Sequence, residues 1–130
     1  MSAPAPACPF HLPLISILRG IRPEEALAHV QVLVEEGFDA IEIPLNSPEW
    51  ASSIGACVRE FGQQAWIGGG TVLRNVDVDR LVDLGVRFIV TPNTNPALIR
   101  HAVDRGLQVA PGFATASEAF AALEAGAQML

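Results

Sequence analysis

Glu42 stands between Ile41 and Ile43 in an apolar run that ends at Pro44. A carboxylate flanked in this way is costly to bury in its ionised form, and burial raises its pKa toward the range useful for moving protons. Glu42 is therefore a candidate general acid/base, the alternative being a structural carboxylate neutralised by Arg19. Arg19 itself follows the apolar run Leu14-Ile15-Ser16-Ile17-Leu18. Its guanidinium could hold a substrate carboxylate or phosphate through paired hydrogen bonds, or balance Glu42, or do both. The third candidate is Gly68-Gly69-Gly70-Thr71. Glycines let a ligand approach backbone N–H groups, and the Thr71 hydroxyl adds a donor. Tight turns need glycine too, however, and the run is neither a GxGxxG fingerprint nor followed by GK[ST]. Thr91-Pro92-Asn93 and Pro111-Gly112 read first as turns.

Composition removes other chemistries. The net charge is -6, and all eight basic residues are arginines. A nucleic-acid partner is not expected, because phosphate backbones are held by clustered cations. Cys8 and Cys57 form no CxxC pattern, and His11, His29 and His101 have no metal-ligand spacing. Unpaired thiols, structural or surface histidines and no metal site are the expectation. Trp50 and Trp66 are read as packing residues. No apolar run is long enough to cross a bilayer, so no membrane partner is expected. The Ala- and Pro-rich start lacks the basic and apolar regions of a signal peptide. A flexible tail over residues 1–12, one domain over 13–130 and a cytoplasmic location follow as expectations.

The elements that must carry these residues show a repeat. Gly37, Gly85, Gly106 and Gly126 are each followed by an apolar–polar–apolar–apolar string. Each glycine suits the left-handed position that closes a helix, and each string suits a short strand buried on both faces. Helix starts fall between them: Ser47-Pro48 and Asn95-Pro96 pair a capping residue with proline, and Thr115 and Glu118 have capping-box spacing. The spacing predicts strands at 14–18, 40–43, 65–68, 88–91 and 108–110. Helices are predicted at 23–36, 48–61, 76–84, 96–105 and 116–125, with a sixth strand starting at Gln128. Such alternation implies a parallel sheet with right-handed crossovers, either a (β/α)8 TIM-type barrel or an open doubly wound sheet. Arg19, Glu42, Thr71 and Asn93 each fall at the end of a different strand, which favours a barrel, whose strand ends meet at one mouth. Five βα units and the start of a sixth strand make an incomplete barrel with open edges.

In this order, Leu14-Ile15-Ser16-Ile17-Leu18-Arg19-Gly20, Ile41-Glu42-Ile43-Pro44-Leu45-Asn46-Ser47-Pro48, Gly68-Gly69-Gly70-Thr71-Val72-Leu73 and Val90-Thr91-Pro92-Asn93 form an ordered set with Ala114-Thr115-Ala116-Ser117-Glu118-Ala119. The set resembles the aldolases that cleave 2-keto-3-deoxy-6-phospho sugar acids. The Ile-Pro-Leu-Asn-Ser string after Glu42 looks more like the galactonate branch than the gluconate branch. The resemblance implies a class I aldolase (a carbon–carbon lyase) that cleaves a phosphorylated keto sugar acid to pyruvate and glyceraldehyde 3-phosphate. It implies a Schiff-base lysine, Glu42 as general acid/base, and Arg19 and Thr71 as substrate-binding residues. It also implies no metal or organic cofactor, and a homo-oligomer, commonly a trimer.

The chain contains no lysine. In the family that residue follows a segment like Gly126-Ala127-Gln128-Met129-Leu130, at the next position. The repeat points to the same place, since Glu42 is fifth after Gly37 and the next position would be fifth after Gly126. The expectation is therefore a C-terminally truncated aldolase, inactive alone. Alternatives are a non-catalytic half-barrel, a split subunit completed by a C-terminal partner, or an aldolase of the 2-keto-3-deoxy-6-phosphogluconate branch.

Overall fold

A computed structural model of the chain describes residues 8–130. Five strands alternate with five helices. They are β1 (Ser16–Ile17), α1 (Pro23–Glu35), β2 (Ala40–Pro44), α2 (Trp50–Phe61), β3 (Trp66–Gly70), α3 (Asn75–Asp83), β4 (Phe88–Thr91), α4 (Pro96–Asp104), β5 (Gln108–Pro111) and α5 (Ala116–Glu124). The helix-closing glycines behave as their spacing requires: Gly37, Gly85, Gly106 and Gly126 have φ of 93°, 85°, 84° and 103°. The Asn95 side chain accepts hydrogen bonds from the Ala97 and Leu98 amides, and Thr115 and Glu118 complete a capping box.

The strands form one sheet in the order β1-β2-β3-β4-β5, and every pairing is parallel. Sequence neighbours are spatial neighbours throughout. An open doubly wound sheet reverses strand order at a switch point, so this unbroken order is that of a barrel wall. The faces are unequal. Ile41, Ile43, Ile67, Ile89 and Val109 pack with residues of all five helices in the main core. Ala40 and Phe88 belong instead to a second cluster with Phe10, flanked by Ile15, Trp66 and Val90. The helices thus cover one face, as in a barrel wall, and the other face is the barrel interior.

Three expectations need adjustment. Residues 1–7 of the expected tail lie outside the described residues, and its later part is packed. Phe10 is buried edge-on against Trp66 and Phe88, and the His11 and Leu12 amides donate to the Asp39 carboxylate. Ser47 does not cap α2. Its hydroxyl accepts from the Gly20 amide at 2.9 Å, and the helix starts later, after Glu49 in a left-handed conformation. The sixth strand does not form a ladder: the Val109 amide donates to the Gln128 side chain rather than to a main-chain carbonyl.

Candidate active site

Alternation along β2 sends Ile41 and Ile43 to the helices and Glu42 to the interior. Glu42 is only 2% exposed, and its Oε2 atom has no hydrogen-bond partner among the described residues. Burial pushes its carboxyl up to about 7, against the pull of the Arg19 charge. Arg19 leaves the end of β1, where its Nη1 donates to Asn46 Oδ1 at 2.8 Å and its Nη2 reaches Thr71 Oγ1 at 3.5 Å. The loops after β1, β2 and β3 therefore meet around one guanidinium, and the Ser47–Gly20 bond ties the first two together. Thr71 has φ of 57°, a strained conformation for a β-branched residue. It lies directly after β3, with its hydroxyl turned to Arg19.

Arg19, Glu42 and Thr71, three residues singled out from the sequence, thus converge. Asn93 lies past β4, where its main-chain carbonyl accepts from the Thr91 hydroxyl at 2.7 Å. It lines a separate depression of about 440 Å³ with Pro92, Thr94, Phe113 and Glu118. Asn46 is the residue the sequence reading missed. Its signal was position, two residues beyond Pro44 in the loop that follows the strand bearing Glu42.

The glycine run serves packing rather than an open cradle for a ligand. A Cβ at Gly68 would come within 2.6 Å of the Phe88 ring, and one at Gly69 within 2.7 Å of Leu81. At Gly70 it would overlap the Glu42 carboxyl group. Each vacancy is filled by a side chain of the protein itself. Trp66 packs beneath Arg87 and Trp50 beneath Arg80, at 4.3 and 4.7 Å, as packing residues would.

A buried carboxyl that changes charge near neutrality stands beside a guanidinium and a hydroxyl able to hold an anion. Such a constellation can transfer protons to and from a bound oxo acid. A family model described as KDPG and KHG aldolase matches residues 10–130, which include every residue of this site. The chain belongs to the KDPG and KHG aldolase family. It is 60% identical, over 119 residues, to the 2-dehydro-3-deoxy-6-phosphogalactonate aldolase of Escherichia coli (strain K12), covering 92% of this chain and 58% of that protein. The chain therefore spans less than three-fifths of this relative's length. Among solved structures, a native KDPGal structure superposes with a TM-score of 0.89 at 59% identity, over 90% of this chain and 57% of that one. The KDPG aldolase of Legionella pneumophila, with pyruvate captured as a covalent carbinolamine, superposes with a TM-score of 0.79 at 25% identity. That match covers 86% of this chain and 54% of the other. KDPG and KHG aldolase membership agrees with the barrel-type strand order and with a parallel sheet whose helices cover one face only.

Proposed function

We propose that this chain carries the proton-transfer and carboxylate-binding part of a class I aldolase acting on 2-dehydro-3-deoxy-6-phosphogalactonate. The carrying observation is Glu42, buried with its Oε2 atom unpartnered among the described residues and with the Arg19 charge acting on it. In this reading Arg19 and Thr71 hold the carboxylate of the keto acid, with Asn46 fixing the guanidinium plane. Glu42 then moves protons as a carbinolamine dehydrates and as the carbon–carbon bond breaks, releasing glyceraldehyde 3-phosphate and leaving bound pyruvate. The amine that forms the Schiff base would be a lysine outside these 130 residues, since none occurs within them. The carbinolamine in the Legionella relative supports Schiff-base chemistry. The contrast between 60% identity to the galactonate enzyme and 25% to that gluconate enzyme supports the galactonate substrate. A homo-oligomer, trimeric as the resemblance implies, and a cytoplasmic location complete the reading.

The test is the intact mass of the protein isolated from its source, with and without pyruvate and borohydride. A chain longer than these residues that gains one reduced pyruvate adduct is the expected result. A mass ending at Leu130 with no adduct would overturn the proposal in favour of a non-catalytic half-barrel or a subunit completed by a partner. The purified 130-residue chain should release no pyruvate above background; lysine-independent release would count equally against the mechanism.

A further inference from the structure

We propose that Gly70 is a positioning residue for Glu42, its missing side chain being the space that the Glu42 carboxyl group occupies. The inference rests on the functional reading above for its consequence, though not for its geometry. In the parallel register Glu42 lies opposite Gly68 and Pro44 lies opposite Gly70. Gly70 therefore shares a face with the residue opposite Glu42, one pleat further toward the mouth. The Glu42 side chain leans along the sheet into that place. The three atoms nearest a Cβ built at Gly70 are the carboxyl carbon and both carboxyl oxygens of Glu42.

The backbone does not itself ask for glycine here. Gly70 is the last residue of β3 and is absent from the glycines with positive φ, unlike Gly37 or Gly85. Glycine in a strand costs stability, because it brings entropy and no packing. What requires it is the carboxyl group. Any side chain at position 70 would drive Glu42 out of its dry seat, toward Arg19 and the open mouth. There it would gain water or an ion-pair partner, and its proton affinity would fall. Arg19, just past β1, is the charged group that acts on Glu42, while the facing residues of β3, Gly68 and Gly70, carry no charge.

The experiment uses the protein expressed from its intact gene, as wild type, Gly70→Ala, Glu42→Asp and the double variant. Two readouts are followed: kcat and KM across pH, and the titration of the Glu42 carboxyl by carbon NMR, assigned with Glu42→Gln. In Gly70→Ala the carboxyl midpoint should fall from about 7 toward the ordinary carboxylate range. The pH limb of kcat should move to lower pH with it. At the optimum, kcat should drop by about tenfold or more while KM changes little, the pattern of a lost transition-state interaction. In the Glu42→Asp background, whose carboxylate is one methylene shorter, the alanine should cost clearly less, showing coupling. A folded Gly70→Ala protein with unchanged midpoint and kcat would overturn the inference. If Gly70→Ala fails to fold, restored folding in the double variant supports the inference, and continued failure overturns it. If the wild type has no aldolase activity, the functional reading fails, and the NMR midpoint still decides the positioning claim.

Discussion

At the scale of single residues, the candidate site centres on one carboxyl group that the fold holds away from water. Glu42 has its pKa raised from 4.5 to about 7, with burial as the largest cause. The folded state therefore holds a proton that the unfolded state has already released. Between these two values stability falls as pH rises, and above about 7 the loss from this group is complete. Replacing Glu42 with Gln should remove that slope and raise the midpoint of denaturant unfolding at pH 8 relative to wild type. An identical pH dependence in the two proteins would show that Glu42 is not desolvated. Asn46 makes a second residue-scale case. It fixes one edge of the Arg19 guanidinium, a bond to a charged group in an exposed setting, for which about 1.4 kcal/mol, or roughly tenfold, is a fair expectation. In the intact protein, Asn46→Ala should raise KM for the keto acid by about that factor and leave kcat nearly unchanged. A fall confined to kcat would assign Asn46 a different task.

At the scale of elements, the same βα unit is built repeatedly with slightly different ends. Where a capping residue has no competing partner it caps, as Asn95 and Thr115 do. Asn95→Ala should cost about 1 kcal/mol of unfolding free energy, read as a lower denaturant midpoint with unchanged slope. No measurable loss would mean that Pro96 alone starts α4. Ser47 differs because its hydroxyl is already engaged by Gly20 of the loop after β1. Local sequence made both serine and asparagine plausible caps, and a tertiary partner separated them. Strand assignments were legible because buried parallel strands are apolar on both sides. Their ends were less so: β3 extends to Gly70, beyond the predicted 68, because ladder pairing with Ile43 and Pro44 holds glycines that propensity alone disfavours.

At the scale of the molecule, one face of the sheet is sealed by five helices and the other is only partly filled. Phe10, Ala40 and Phe88 close one end of the interior face, while Ile17, opposite Glu42, is 56% exposed. Large apolar residues are also exposed at both flanks, Leu27 and Val32 on α1 and Phe120 and Leu123 on α5. β1 and β5 each have a single ladder neighbour. Exposed edges and apolar patches of this kind drive association. The 130-residue chain produced alone should therefore self-associate, with a sedimentation coefficient that rises with concentration. A concentration-independent monomer with one cooperative unfolding transition would contradict this picture.

The amino-acid sequence by itself determined the alternation of strands and helices, the glycines that close the helices, and the candidacy of Glu42, Arg19 and Thr71. Those features are local, since periodicity, capping and strand ends are written in residues a few positions apart. The tertiary structure alone decided the work of Asn46, Ser47 and Gly70. Asn46 meets Arg19 across 27 residues of sequence, and Thr71 meets it across 52. The glycine that read as an opening for a ligand proved to be a seat for the chain's own carboxyl group. Desolvation and hydrogen bonding act through space, and only the folded sheet sets which strands share that space.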